Sequence, residues 1–122
     1  MFANCNQLIS LNISSFSTVS AIYIENMFKG YSQLESLDLS NFDGSSVEDI
    51  HSVFQNCEQL KSIDLSNFGV PKVTNMNNMF DGCISLEYLD LSNFNPASDI
   101  LESVEGMFDK MINIKYINIY NI

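Results

Sequence analysis

The chain repeats one phrase, LDLSNF with small variations, at residues 37–42, 63–68 and 89–94. Aligned on a Met-Phe pair, which is Val-Phe in the third unit, the repeats begin at residues 1, 27, 53, 79 and 107. Successive starts are separated by 26, 26, 26 and 28 residues. A fixed period of this length indicates one short unit that is stacked on itself. We therefore expect a single repeat domain, made of units 1–26, 27–52, 53–78, 79–106 and 107–122.

Two periodicities within each unit predict its secondary structure. In the repeated phrase Leu37 and Leu39 flank Asp38, and this alternation of apolar and polar residues is typical of a strand. Ahead of the Met-Phe pair, apolar residues recur at intervals of three and four, as at Ile100 and Val104, and this spacing is typical of a helix. The stretch SSVE, residues 45–48, fits a capping box at a helix start. The sequence thus predicts a strand, a turn and a helix in each unit.

A single unit of this kind cannot bury its apolar face, but a stack can. The predicted strands would lie side by side in a parallel sheet, with the helices on the other side. Unit position 2 is always Phe and position 8 is always Leu or Ile, so both are predicted core sites. Position 9 reads Glu35, Lys61, Glu87 and Lys115 in successive units, and stacking would bring these opposite charges together.

The combined pattern MFxxCxxLxxLDLSNF, followed by VTNM at residues 73–76, resembles the BspA-like leucine-rich repeat surface proteins. The likeness covers all 122 residues. It implies an α/β, leucine-rich-repeat-like, right-handed solenoid of about five coils, with a parallel sheet on one face and helices on the other. Such solenoids are found mostly in bacterial cell-surface proteins and in some protist ones, where they serve adhesion and protein binding.

One departure from the usual leucine-rich pattern concerns the slot that normally holds asparagine. That slot holds phenylalanine in the four complete units, which predicts an apolar spine in place of an asparagine ladder: Phe16, Phe42, Phe68 and Phe94. Asn41, Asn67 and Asn93 lie one residue earlier, where they could bond the backbone of a turn.

Charge and hydropathy exclude several partners. The formal charge of -10 would repel nucleic acid and anionic membrane surfaces, so we expect no nucleic-acid partner. No apolar run approaches the roughly 18 residues that a membrane-spanning helix needs, so we expect no membrane span. The sequence contains no secretion signal, and the expected cell-surface or extracellular location depends on the family resemblance alone.

The candidate residues for chemistry give no catalytic set. Cys5, Cys57 and Cys83 share unit position 5, where we expect buried free thiols, and no Cys/His spacing suggests zinc. His51 is the only histidine and has no serine or cysteine placed as a partner. Because no nucleophile and base pair, phosphate-binding loop or metal set is present, we expect neither an enzyme nor a cofactor.

The outward positions of the predicted strands are the best candidate for binding. Asp38, Asp64 and Asp90 would form an acidic ladder, which could hold calcium but needs no ion if serine and asparagine groups solvate it. Tyr88, Tyr116 and Tyr120 gather at the C-terminal end of the same face. Tyrosines on a solenoid face are good contact residues. Strand propensity alone, or cover by a further unit, would also explain them.

These observations favour a non-catalytic module of a surface adhesin that binds a protein or glycan ligand on its strand face. The alternative is an intracellular scaffold or structural spacer without a dedicated ligand, and calcium-dependent binding is a weaker third reading. The repeats lack polar caps. We therefore expect a piece of a longer array, or end-to-end self-association through uncapped edges.

Overall fold

A computed structural model of the chain describes residues 5–97 and 99–119. Within them the chain forms five short strands: β1 Ser10–Leu11, β2 Ser36–Leu37, β3 Ser62–Asp64, β4 Tyr88–Asp90 and β5 Tyr116–Asn118. Each strand occupies the same place in its unit, at or beside the repeated phrase. The prediction of one regularly spaced strand per unit is therefore confirmed.

Neighbouring strands pair in parallel. β1 pairs with β2, and β3, β4 and β5 form a second sheet in that order. The register places equivalent residues of successive units side by side, as in the pairs Ile63 with Leu89 and Leu89 with Ile117. Because the pairing partners are one unit apart in sequence, the chain is a stack of repeats and is solenoid-like.

The predicted helices are wrong, and with them the α/β class. Over the residues that the structure describes there is no helix, and so none that could cross a bilayer. The segments around the pairs at residues 27–28, 53–54, 79–80 and 107–108 are instead chains of consecutive turns, which we call the turn ribbons of the second to fifth units. In the ribbon at Met27 the Met27 amide donates to the Ile24 carbonyl at 3.2 Å, while the Phe28 amide donates to the Val53 carbonyl of the next unit at 3.0 Å. Along the ribbon, one amide therefore donates within its own turn and the next donates to the neighbouring unit.

The backbone conformation explains why helix spacing misleads here. Each of the four described ribbons has two residues with positive φ, one just before the Met-Phe (or Val-Phe) pair and one two residues after its Phe. Asn26 and Gly30 hold these places in the ribbon at Met27, at φ of 57° and 78°. An α-helix requires negative φ throughout, and the left-handed region is adopted mainly by Gly and Asn. The expected capping box is also absent, because the Glu48 amide bonds Ile22 of the previous unit at 2.8 Å.

Two ladders of phenylalanine rings fill the space between strands and ribbons. Phe28, Phe54 and Phe80 stack with ring centroids 5.7 Å apart, and Phe108 continues that ladder at 6.1 Å. The predicted apolar spine forms the second ladder, in which Phe42, Phe68 and Phe94 are buried and 6.2 to 6.5 Å apart. The predicted core positions are thus confirmed for the interior units. At the ends Phe16 and Phe108 stay 39% and 47% exposed, and Phe2 lies outside the described residues.

Asparagine side chains also connect successive units, one residue before the apolar spine. The Asn41 side-chain amide donates to the Ser14 carbonyl at 2.8 Å, and Asn93 makes the same bond to Ser66 at 2.7 Å. Each bond crosses from one unit to the turn of the unit before it. The expectation that these asparagines bond turn backbone is confirmed for Asn41 and Asn93, whereas the described residues show no such bond for Asn67.

Candidate binding face

The strand face presents two rows of outward side chains. Register aligns Ser62, Tyr88 and Tyr116 in one row, and Asp64, Asp90 and Asn118 in the row beside it. The structure therefore brings Tyr88 and Tyr116 together, next to Asp90, as the strand spacing predicts. Tyr120 lies outside the described residues.

Tyr88 and Tyr116 form a stacked pair. Their ring centroids are 5.2 Å apart and the ring planes differ by 7°. Tyr88 is 37% exposed and Tyr116 is 50% exposed, so the pair is fixed by its neighbours and still open to solvent. Because parallel pairing holds both backbones, the rings form a preorganised contact surface.

Asp90 links this pair to the sheet. Its carboxylate accepts a hydrogen bond from the Tyr88 hydroxyl at 3.1 Å and one from the Ser92 amide at 2.8 Å. Asn118 of the next unit donates to the same carboxylate at 3.3 Å. Partial burial would raise the pKa of Asp90, but these hydrogen bonds outweigh it and lower the pKa. The hydrogen bond to Asp90 in turn raises the pKa of the Tyr88 hydroxyl.

Asp38 and Asp64 have a structural role that the sequence analysis missed. Each accepts a hydrogen bond from the amide two residues later, at 2.9 Å, and so closes the turn that follows its strand. Asn12 does the same for Ser14 in the first unit. The hydrogen bond from the Ser40 amide lowers the pKa of Asp38. The signal was present in the sequence, since an Asp two residues before a Ser is typical of such a turn.

The row of acids on the strand face borders only a small depression. A depression of about 100 Å³, lined by Asp38, Ser40, Asp64 and Asn67 among others, lies where the two sheets meet. Across the described part of the chain, no group of three His, Cys, Asp or Glu residues is placed to hold a metal ion.

Comparison with known families adds one result. The sequence matches the family described as "Mycoplasma protein of unknown function, DUF285" over residues 1–119. The chain belongs to this family. The DUF285 match reaches into all five units, each of which contributes one strand. No curated protein and no solved structure matches the chain.

Two of the three cysteines of this DUF285 chain are buried and free, as expected, whereas Cys5 is exposed. The Cys57 thiol donates to the Phe28 carbonyl at 3.3 Å and the Cys83 thiol to Phe54 at 3.1 Å, so each thiol bonds the previous turn ribbon. Burial raises the pKa of Cys83 to about 12, which keeps it protonated. Unit position 5 is therefore a packing position in the third and fourth units.

Polar side chains also connect the turn ribbons, away from the strand face. His51 lies 2.8 Å from the Asp49 carboxylate and 3.2 Å from the Asn26 side chain. Asp81 accepts hydrogen bonds from Gln55 at 2.8 Å and Lys110 at 2.9 Å. Both bonds lower the pKa of Asp81, and the bond from Gln55 has the larger effect. The sequence analysis predicted the stacking but compared charges only at unit position 9, and so it missed this cluster.

Of the predicted charge pairs at unit position 9, the described residues form one, between Lys115 and Glu87 at 2.9 Å. Both side chains are well exposed, so the pair contributes little to the free energy of unfolding.

Proposed function

We propose that this chain is a non-catalytic binding module that holds a protein or glycan ligand on its strand face, as part of a cell-surface adhesin. The single observation that carries the proposal is the Tyr88 and Tyr116 pair, stacked at 5.2 Å and exposed on an ordered sheet. Rigid tyrosines lose little conformational entropy on binding, which makes them good contact residues. The likeness to BspA-like leucine-rich repeat proteins supports the surface location and the adhesive role.

The surroundings of the pair indicate what kind of ligand would fit. Tyr88 and Tyr116 provide flat apolar rings, and Asp64 and Asp90 lie in the adjacent row. Rings beside carboxylates suit a sugar, whose apolar face can cover a ring while its hydroxyls donate to the acids. They equally suit a protein surface with Lys or Arg side chains, which interact with aromatic rings and with acids. An acidic ligand would be repelled.

The test compares variants on a glycan array and on a panel of purified extracellular proteins, some basic and some acidic. The wild type and the double variant Tyr88→Ala with Tyr116→Ala are measured in parallel. Tyr23→Ala is the matched control, because Tyr23 is 65% exposed and lies at the start of a turn ribbon, not on the strand face. We expect ligands that lose at least about tenfold in affinity in the double variant and are unchanged in the control.

The alternative function is an intracellular scaffold or structural spacer without a dedicated ligand. It predicts no saturable binding to either panel, and that result would remove the adhesin proposal. Equal binding by the double variant and the wild type would instead leave a binding module whose site is elsewhere. Loss of binding on addition of a chelator would favour the calcium-dependent reading.

A further inference from the structure

The row of outward side chains that contains Tyr88 changes size abruptly between the third and fourth units. Unit position 10 is serine in the first three units and tyrosine in the last two. The strand register sets Ser62 on one side of Tyr88 and Tyr116 on the other. Because serine is much smaller than tyrosine, the row forms a step at Tyr88. This step lies between two described units and not at an end of the stack.

One ring face of Tyr88 is open at the step. Parallel stacking on Tyr116, with the ring planes 7° apart, covers the face that points towards the fifth unit. The opposite face points towards the third unit, where the register partner is Ser62, which is exposed and carries no ring. A planar group of a ligand can therefore lie on this face, with Ser62 beneath it.

Two carboxylates border the open face. Asp90 accepts a hydrogen bond from the Tyr88 hydroxyl at 3.1 Å. Asp64 is the register partner of Asp90, in the row beside Ser62, and it is exposed. The hydrogen bond to Asp90 has the largest part in raising the pKa of the Tyr88 hydroxyl, and the negative charge of Asp64 adds to the effect. Both acids thus lie at the step itself.

The charge of these two carboxylates is not neutralised. Asp90 already accepts the three hydrogen bonds described above, whereas Asp64 accepts one within the described residues, from the Ser66 amide to its Oδ1 at 2.9 Å. No ion pair among the described residues includes either acid. Position 9, next to the strands, has two acids and two bases: Glu35, Lys61, Glu87 and Lys115. The step therefore carries a net negative charge and an oxygen, Asp64 Oδ2, that can accept from a ligand.

A guanidinium group matches these features better than a sugar or an ammonium group. It is planar, so it can lie flat on an aromatic ring, and its N–H groups can donate in the same plane to a carboxylate. It has donors and no acceptor, which suits a step that is bordered by carboxylate oxygens. A sugar is uncharged and gains nothing from two unneutralised acids. An ammonium group gains from the charge but has no flat face to stack on the ring.

We infer that the strand face binds an arginine side chain of a partner protein, with the guanidinium on the open face of Tyr88 and donating to Asp64. Tyr116 holds the Tyr88 ring in place from the other side. The inference rests on the proposed function, because it names the ligand of the same face, and it selects a protein over a glycan. The partner surface around the arginine is neutral or basic, since acids there would be repelled by the strand face.

Three short peptides isolate the guanidinium group. Each has a central arginine, lysine or citrulline between Gly-Ser-Gly flanks with blocked ends, and citrulline keeps the planar shape without the charge. Each is titrated at low salt into the full chain, and the amide NMR signals of Ser62, Asp64 and Tyr88 are followed. We expect the arginine peptide to saturate at low millimolar concentration and to bind at least about threefold more tightly than the lysine peptide. The citrulline peptide should bind at least about tenfold more weakly than the arginine peptide.

Two pairs of variants locate the binding. Tyr88→Leu removes the ring and should weaken binding of the arginine peptide at least about fivefold, whereas Tyr88→Phe keeps the ring and should stay within about twofold. Asp64→Asn removes the charge, can still accept the Ser66 amide, and should weaken binding at least about fivefold. Asp43→Asn is its control, because Asp43 also closes a turn, with the Ser45 amide at 2.8 Å, but lies beyond the strand face. Circular dichroism melts establish that the variants fold.

Several results would overturn the inference. They are no saturable binding of the arginine peptide up to about 20 mM, equal binding of the arginine peptide and either other peptide, or binding that Asp64→Asn or Tyr88→Leu leaves unchanged. The proposed function fails separately, by the panel experiment described above. A glycan that the double tyrosine variant no longer binds, together with no binding of the arginine peptide, would keep the binding module and remove arginine as its ligand.

Discussion

At the scale of single residues, the spacing between units depends on small side chains where successive backbones approach. A Cβ on Gly44 would overlap the carbonyl oxygen of Gly69 in the next unit and lie 2.8 Å from Val70 Cγ1. A backbone oxygen cannot move aside without shifting the whole unit. We expect Gly44→Ala to lower the free energy of unfolding by about 1 to 3 kcal/mol, measured by urea denaturation.

Gly69→Ala is the matched control for that substitution. The nearest atom to its added Cβ would be Asn95 Oδ1 at 3.2 Å, on a side chain that can rotate. Its free energy of unfolding should stay within about 0.5 kcal/mol of the wild type. Equal losses in the two variants would contradict the assignment of the Gly44 effect to backbone overlap.

The turn-closing aspartates give a prediction for acid sensitivity. The amide of Ser40 donates to Asp38 and lowers its pKa below the ordinary value of about 3.9. A carboxyl whose pKa is lowered by folding stabilises the fold above that ordinary value, and the stabilisation is lost as pH falls through the lowered pKa. We expect Asp38→Asn to lose less stability than the wild type when pH is lowered from 5 to 3.

Asn can replace Asp at this position without breaking the turn, because Asn12 already accepts the Ser14 amide at 3.0 Å. Glu35→Gln serves as the control, since it removes the same charge from an exposed neighbour that closes no turn. Urea denaturation at several pH values measures the effect. If the free energy of unfolding of Asp38→Asn and of the wild type changed with pH in the same way, protonation of Asp38 would not contribute to the acid sensitivity of the fold.

At the scale of elements, the turn ribbon tolerates a residue that is poorly suited to its backbone. Ser52 has a φ of 56°, at the place where other units have Asn26, Asn78 and Gly106. Residues other than Gly and Asn lose roughly 1 kcal/mol in this conformation. We expect Ser52→Gly to raise the free energy of unfolding by about 0.5 to 1 kcal/mol, measured by thermal and urea denaturation.

Ser66→Gly is the control for this substitution. Ser66 is not among the described residues with positive φ, so glycine there only adds freedom to the unfolded chain. The two substitutions should therefore act in opposite directions. A loss of stability in both would argue that the ribbon does not need left-handed residues at this place.

The elements also show how far the sequence could be interpreted. Strand alternation around Asp38 and Asp90 predicted the strands correctly, because a period of two fits few other structures. Apolar spacing of three and four is shared by a helix and by a chain of turns that returns to the core every few residues. The deciding signal was Asn26 and Gly30 flanking the Met-Phe pair, since both residue types accept positive φ.

The candidate site was predictable only in part for a related reason. Register could be deduced from the period, so the row containing Tyr88 and Tyr116 followed from the sequence. The stacking distance of 5.2 Å and the hydrogen bond to Asp90 depend on side-chain rotamers, which no spacing encodes.

At the scale of the whole molecule, stability is expected to fall from the middle of the stack towards its ends. Interior units are covered on both sides, whereas Leu8 and Phe16 in the first unit are 38% and 39% exposed. The predicted end-to-end self-association would cover such ends. It stays a prediction, tested by solution mass against concentration, and the net charge of -10 opposes it at low salt.

Amide hydrogen exchange tests this gradient directly. The Phe16 amide donates to the Ile13 carbonyl at 2.9 Å, and the Phe54 amide donates to Met79 at 3.0 Å, so both are hydrogen-bonded to a similar degree. Phe54 is 2% exposed and lies between two stacked rings. In a stack whose units are stabilised mainly by their neighbours, end units open without the rest. We expect Phe16 to exchange at least about 100-fold faster than Phe54. Equal protection of the two amides at low protein concentration would mean that the units unfold as one, and that exposure at the ends does not weaken them.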